Sequence, residues 1–140
     1  MADRVIAPAM ELGPALFEEL LEHGLRDYPN EACALLAGRD GVPARVLPMR
    51  NADASPVSYR LEPKEQLRVF QEIDDEGLDL LGIFHTHTHS EAFPSETDRK
   101  QAFYPEASYL IMSLANREAP VLRAFRILDG EVSEEEVRVS

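Results

Sequence analysis

At 140 residues, with 44% hydrophobic and 29% charged residues, the chain has the length and composition of a single globular domain, taken here as 1–140. The net charge of −12 argues against a nucleic-acid partner, because phosphate binding needs clustered lysine and arginine, and no apolar run approaches the ~20 residues of a membrane span. The single cysteine, Cys33, excludes an internal disulfide, and the N-terminus lacks the apolar segment of a signal peptide, which together fit a cytoplasmic protein.

The first half of the chain predicts two helices and two or three strands. Leucines at helical spacing opposite glutamates indicate the first helix, and Leu67, Phe70 and Ile73 form the predicted buried stripe of the second. In chain order the expected elements are a helix over 12–27, strands over 31–37 and 44–49, a short strand over 59–61, and a helix over 63–76.

The second half predicts four strands and one short helix. The expected elements are strands over 80–87, 109–114, 121–128 and 132–139, and a helix from Ser95 to about residue 103. The acidic residues of the last strand, Glu131 and Glu134 to Glu136, are expected on its solvated face. The fold class is therefore α/β, with a central mixed β-sheet wrapped by about three helices in one domain.

Metal-binding residue types are concentrated where the predicted strand 80–87 ends. Side chains alternate along a strand, so His85 and His87 point to the same side, and Asp98 follows in a helix that can return toward them. Three protein ligands leave a fourth position open for water, which distinguishes catalytic zinc sites from structural ones. The pattern predicts a catalytic Zn²⁺ site formed by His85, His87 and Asp98.

Two features near these ligands have alternative explanations. Ser95 and Asp98 have the spacing of a helix-capping signal, which occurs in many proteins without a metal. His89 also alternates with His87 and would be a further imidazole ligand if the strand continued. Because 88–93 is rich in turn-forming residues, we expect the strand to end near His87 and His89 to line the rim.

Hydrolysis of an amide by a zinc-activated water also needs a base close to the metal. From spacing alone, Glu31, Glu91 and Glu96 all compete for this role. Glu31 precedes the apolar run 32–36, where burial would raise its pKa toward the neutral range that a general base needs, although an exposed acid at a strand start is an equal alternative.

Taken together, these residues resemble the motif of the JAMM (MPN+) zinc metalloprotease family, in its short bacterial form. The motif has an upstream glutamate, His-x-His, seven residues and Ser-x-x-Asp, and the matching residues are Glu31, His85, His87, Ser95 and Asp98. The segment 29–33 is similar to the Pro-x-Glu-x-Cys of the family. Thr88 and His89 depart from it, since the family commonly has proline and then often aspartate there.

The resemblance implies a fold and a set of roles. The JAB1/MPN fold is a cytidine-deaminase-like sheet wrapped by helices. His85, His87 and Asp98 would bind Zn²⁺, Glu31 would be the general base and then the acid, and Ser95 would help to stabilise the oxyanion. A zinc deaminase itself is excluded, because it expects a His-x-Glu and a Pro-Cys-x-x-Cys set and this chain has a single cysteine.

The resemblance also implies a substrate. Short bacterial members hydrolyse the peptide or isopeptide bond after the C-terminal Gly-Gly of a ubiquitin-like (β-grasp) sulfur-carrier protein, and this chain has little length beyond the domain core. Two alternatives are a non-catalytic MPN scaffold and a metallopeptidase acting on small peptide or amino-acid conjugates. A homodimer is a further expectation.

Overall fold

The computed structural model describes residues 10–140, which form eight strands and three helices. In chain order these are β1 (Met10–Leu12), α1 (Pro14–Asp27), β2 (Cys33–Arg39), β3 (Val42–Met49), α2 (Pro63–Asp75), β4 (Asp79–His87), α3 (Glu96–Lys100), β5 (Ser108–Ser113), β6 (Val121–Leu128), β7 (Glu131–Glu135) and β8 (Val137–Val139). None of the helices in this part of the chain is long and apolar enough to cross a membrane.

Six strands form the central sheet in the order β3-β2-β4-β5-β6-β7. Only the β4–β5 pair is parallel, and the other four pairs are antiparallel, so the predicted mixed sheet is confirmed. Parallel strands end at the same edge of a sheet. The segments that follow β4 and β5 therefore emerge side by side, and the backbone N–H of Leu114 donates to the carbonyl of His87, 2.8 Å away.

The two faces of the sheet bury separate hydrophobic cores. The first contains Leu35, Ile83, Ile111 and Phe125 and is covered by Val69 and Ile73 of α2. The second contains Leu36, Phe84, Leu110 and Met112 and is covered by Leu20 of α1. Neighbouring residues of one strand alternate between these cores, as the two-residue period of a strand requires.

The structure differs from the sequence prediction at three places in the first helices and strands. β1 was not predicted, because a three-residue strand has little pattern of its own and exists here by pairing with β8. Leu67 is 73% exposed, whereas Val69 is 4% exposed and takes the inward position on α2. In the segment 59–61, only Leu61 is bridged, in a single pair with Asn51.

The C-terminal prediction of one strand over 132–139 was wrong. The strand is interrupted at Glu136 and forms two strands. β7 pairs with β6 in the main sheet, and β8 pairs with β1. Glu135 is 5% exposed and not solvated. Its carboxylate accepts hydrogen bonds from Ser108 and Arg126, which satisfy the charge that burial would otherwise penalise. The short third helix ends at Lys100, three residues before its predicted end.

Candidate metal centre

β4 presents two imidazoles from its buried C-terminal end. His85 is 1% exposed and His87 is 4% exposed, and they share the face of the sheet that carries Ile83. Their Nε2 atoms are 3.2 Å apart. The alternation of side chains along the strand therefore brings both imidazoles to one point, as the His-x-His spacing predicts.

Helix α3 returns a carboxylate to the same point. Oδ2 of Asp98 lies 3.1 Å from Nε2 of His85 and 2.9 Å from Nε2 of His87. The helix begins with a capping box, in which Oγ of Ser95 accepts from the backbone N–H of Asp98 and the carboxylate of Asp98 accepts from the backbone N–H of Ser95. The capping and metal-binding interpretations of Ser95 and Asp98 are therefore compatible, because the cap holds Asp98 toward the imidazoles.

The surroundings shift the pKa of all three groups. Burial lowers the pKa of His85. Burial also opposes charge on His87, but its hydrogen bonds with Asp98 and with the carbonyl of Glu91 raise its pKa. Burial by itself would raise the pKa of Asp98, yet hydrogen bonds from both imidazoles hold it well below its usual range. The site therefore keeps Asp98 as a carboxylate, the form that binds a metal.

The residues present fit a divalent transition metal. One ligand atom from each of His85, His87 and Asp98 lies within 4.8 Å of the others. Nδ1 of His87 is 2.7 Å from the carbonyl oxygen of Glu91, which can only accept, so Nδ1 carries a proton. The lone pair of Nε2 would then be free for a metal once Nε2 releases the proton that it shares with Asp98. Two imidazoles and one carboxylate form a ligand set that suits zinc.

Glu31 is a buried acid beside this cluster. It precedes β2, is 4% exposed, and its Oε1 atom has no hydrogen-bond partner. Burial raises the pKa of Glu31 to about 8, while His87 lowers it and Asp98 raises it. This coupling places Glu31 in the electrostatic field of the metal-ligand cluster without making it part of that cluster.

The other candidate acids and His89 lie apart from the three-ligand cluster. The side chains of Glu91 and Glu96 are exposed, and Glu96 forms a surface ion pair with Lys100. His89 is exposed, with Nδ1 2.8 Å from Oγ1 of Thr88. Of the three competing glutamates, only Glu31 is buried. Cys33 is fully buried, and burial raises the pKa of its thiol to about 12, which makes it an inert core residue.

Tyr59 is a neighbour of the cluster that the sequence did not indicate. Its ring stacks on His85 with centroids 4.3 Å apart and planes inclined by 21°. Nδ1 of His85 is buried without a hydrogen-bond partner, so this stacking replaces the acceptor that usually orients a ligating histidine. Tyr59 also lines a cavity of about 170 Å³ with Ile83, Phe103 and Tyr109. An irregular loop supplies Tyr59, and such loops carry no periodic signal.

Comparison with known proteins identifies the family. The model for prokaryotic homologs of the JAB domain matches residues 13–128. The chain belongs to this family. It is 44% identical over 126 residues to the CysO-cysteine peptidase of Mycobacterium tuberculosis, covering 89% of this chain and 86% of that protein. It is also 36% identical over 117 residues to a probable TtuB-protein conjugate cleaving protease of Thermus thermophilus, covering 83% and 74%.

Solved structures agree with this assignment. The solution structure of protein DSY2949 from Desulfitobacterium hafniense superposes with a TM-score of 0.84 at 41% identity, covering 93% of this chain and 92% of that one. The crystal structure of AF2198, a JAB1/MPN domain protein from Archaeoglobus fulgidus, has a TM-score of 0.61 at 19% identity, covering 94% and 100%. The predicted JAB1/MPN fold is confirmed, and the peptidases among the relatives confirm that this JAB-family chain is a hydrolase.

Proposed function

We propose that this chain is a zinc-dependent metallopeptidase that hydrolyses the bond after the C-terminal Gly-Gly of a ubiquitin-like sulfur-carrier protein. The substrate class is supported by the relatives, one named for CysO-cysteine and another for TtuB-protein conjugates. In this proposal Zn²⁺ is held by His85, His87 and Asp98, whose ligand atoms converge. Bound zinc would lower the pKa of a coordinated water enough to supply a nucleophile at neutral pH.

The residues of this chain then divide the proton transfers between them. Glu31 takes a proton from the attacking water, whose oxygen forms a bond to the carbonyl carbon of the second glycine. Glu31 returns that proton to the leaving nitrogen as the C–N bond breaks. The products are the carrier with a free carboxylate and a free amine.

Ser95 supports this reaction as a hydrogen-bond donor. Its Oγ accepts from the backbone of Asp98, so its own hydroxyl proton remains available. A donor next to the metal ligands would stabilise negative charge on the former carbonyl oxygen. The proposed role of Ser95 is therefore separate from its capping of α3.

The buried carboxylate of Glu31 is the single observation that carries the catalytic assignment. A buried acid with a free oxygen is costly to a fold unless it has a role, because desolvation disfavours its charged form. A pKa near 8 lies in the range where one group can both accept and return a proton at neutral pH.

The first test combines zinc content with a cleavage assay. The wild type and Glu31→Gln are purified, their zinc is quantified, and each is incubated with a carrier protein extended by one residue beyond Gly-Gly. We expect one zinc per chain in both proteins and cleavage only by the wild type, with a loss of at least about 100-fold in kcat/KM for the variant.

Each other outcome identifies a specific error. Zinc in both proteins with cleavage by both would reject Glu31 as the base. Zinc without cleavage by the wild type would reject the carrier substrate and favour a small peptide conjugate. Absence of zinc from both would reject the metal assignment and favour a non-catalytic scaffold.

Three broader expectations accompany this proposal. We infer a cytoplasmic location, which is supported by the single buried cysteine, because reducing compartments keep thiols free. A single catalytic domain over 1–140 and a homodimer are also proposed. Size-exclusion chromatography with light scattering would test the dimer directly.

A further inference from the structure

The chain between β3 and α2 contacts both the proposed base and a metal ligand. We call its residues 51–60 the β3–α2 loop. The backbone N–H of Glu31 donates to the carbonyl of Ser55, 2.8 Å away. The ring of Tyr59 stacks on His85, with the ring centroids 4.3 Å apart. One loop therefore touches the acid that would transfer protons and an imidazole that would bind the metal.

The side chain of Asn51 ties this loop together. Asn51 is 7% exposed, and its Nδ2 atom donates to the carbonyl of Ser58, 2.9 Å away. Its Oδ1 atom accepts from the backbone N–H of Asp53 at 2.9 Å and from that of Arg60 at 3.2 Å. Since Ser58 and Arg60 flank Tyr59, Asn51 holds the backbone on both sides of the stacked ring.

The same amide reaches the proposed base. Nδ2 of Asn51 also donates to the carbonyl of Glu31, 2.9 Å away. A carboxamide has two protons and two oxygen lone pairs, so the hydrogen-bonding capacity of Asn51 is fully used. With the bond to Ser55, both backbone polar groups of Glu31 are held by the β3–α2 loop, two residues before β2 begins at Cys33.

The bond from Asn51 to Glu31 is not needed to close the loop. The backbone N–H of Ala52 donates to the carbonyl of Arg60, 2.8 Å away. The guanidinium of Arg60 also pairs with Asp53 at 3.2 Å. These contacts join the two ends of the loop to each other, whereas the contact with Glu31 joins the loop to the site.

The position of the Glu31 carboxyl depends on its backbone. Its Oε1 atom is buried without a hydrogen-bond partner, so no bond at that atom fixes the side chain. The Cα position of Glu31 therefore sets how far the carboxyl reaches toward the metal ligands. Displacing a catalytic group by about 1 Å can lower the rate by about 100-fold.

We propose that Asn51 is a positioning residue that sets the separation between Glu31 and the metal ligand His85. It does so by holding the backbone of Glu31 to the loop whose Tyr59 lies on His85. This inference rests on the proposed function and adds a residue that touches neither the metal nor the substrate. Loss of Asn51 should therefore slow the proton transfers that Glu31 performs.

The first test is structural and needs no substrate. Asn51→Ala removes all four bonds of the amide, and crystal structures of the zinc-loaded wild type and variant are compared. We expect the distance from Cα of Glu31 to Nε2 of His85 to change by at least about 0.5 Å, the tolerance of a catalytic arrangement. An unchanged distance would overturn the proposal.

The second test is kinetic and asks whether Asn51 acts through Glu31. With the carrier substrate, Asn51→Ala should lower kcat at least about tenfold, with KM within about twofold of the wild-type value and zinc content unchanged. In a Glu31→Gln background the same change should cost less than about twofold, because the positioned group is already absent. An equal loss in both backgrounds would indicate a merely structural role and overturn the proposal.

Two further variants complete the design. Asn51→Asp keeps the oxygen that accepts from the loop and loses both donated protons, so it should show the same displacement and kcat loss, including where Asn51→Ala fails to fold. Ser58→Ala removes a loop hydrogen bond to Asp53 but none to Glu31, and should match the wild type in both tests.

The remaining outcomes separate this inference from the proposed function. A kcat loss in Ser58→Ala equal to that in Asn51→Ala would overturn the specific role of Asn51. Absence of carrier cleavage by the wild type would overturn the proposed function. The crystallographic distance would then still decide whether Asn51 holds Glu31 in place.

Discussion

At the scale of single residues, the candidate site depends on two acids, Asp98 and Glu31, whose pKa values are shifted in opposite directions. Asp98 is held as a carboxylate by hydrogen bonds from two imidazoles and a backbone N–H. Glu31 has a free oxygen, and burial raises its pKa to about 8. Two neighbouring carboxyls with pKa values driven apart can divide metal binding and proton transfer between them.

The raised pKa of Glu31 predicts a pH-dependent stability of the metal-free protein. The folded state binds this proton more tightly than the unfolded state, so its contribution is present below pH 4.5 and is lost as pH rises through about 8. Between these values we expect the wild type to lose roughly 1.4 kcal/mol of unfolding free energy per pH unit relative to Glu31→Gln. Urea denaturation at pH 5.5, 6.5 and 7.5 with a chelator present measures this difference.

The amide of glutamine matches the carboxyl in size and cannot ionise. Glu31→Gln is therefore the non-titrating reference for the wild type. A difference between the two proteins that does not change with pH would show that Glu31 is already ionised in the folded protein. A difference that changes in the opposite direction would contradict the raised pKa.

At the scale of secondary-structure elements, α1 supports the site from the opposite face of the sheet. Thr86 lies between His85 and His87 on β4, and its hydroxyl accepts from the backbone N–H of Ala32, next to Glu31. Gly24 of α1 packs directly on Thr86, where an added Cβ would lie 2.9 Å from the methyl carbon. The helix therefore presses on the strand pair that carries both the ligands and the proposed base.

This contact predicts an effect of Gly24→Ala that depends on Thr86. In the wild type we expect a destabilisation of about 1–2 kcal/mol, because the fully buried Thr86 is held by its hydrogen bond and cannot move away. In a Thr86→Ser background the methyl is absent and the hydroxyl remains. There the same substitution should stabilise by up to about 1 kcal/mol, as alanine is the better helix former.

A double-mutant cycle by chemical denaturation tests this contact. A coupling energy of at least about 1 kcal/mol is expected between the two positions. Additive effects would mean that α1 and β4 can separate slightly without cost, and that the helix does not hold the strand in place.

At the scale of the whole molecule, the candidate ligands join parts of the fold that are otherwise weakly connected. β4 lies at the centre of the main sheet, whereas α3 has five residues and none of them is fully buried. A metal held by His85, His87 and Asp98 would therefore attach α3 to the core. Ligand binding to the folded state alone raises stability by mass action.

Zinc should therefore raise the thermal midpoint of the chelator-treated protein. At a free concentration of 100 times Kd, the gain is about 2.7 kcal/mol, which corresponds to roughly 10 °C for a domain of this size. Magnesium, which prefers oxygen ligands, should have little effect, and His85→Ala should abolish the zinc response. Differential scanning fluorimetry measures all three, and an equal response in His85→Ala would place the zinc elsewhere.

Much of the fold and the candidate site follows from local sequence patterns. Helical spacing of leucines located α1, and the two-residue period of strands put His85 and His87 on one face before any tertiary contact was considered. These two features are encoded by neighbouring residues, whose periodicity is set by backbone geometry. The choice of Glu31 among three competing glutamates came instead from the resemblance to the JAMM motif, because local spacing left all three open.

Tertiary structure alone decided the features that depend on residues far apart in the chain. The pairing of β1 with β8, the burial of Glu135 against Ser108, and the stacking of Tyr59 on His85 join segments with no shared local pattern. The contacts of Tyr28 with Arg117 and with His89 likewise join three separate loops. Such contacts form because packing against the whole sheet outweighs local preference. A sequence pattern can therefore indicate which residues perform the chemistry, whereas the surroundings of those residues follow from the fold.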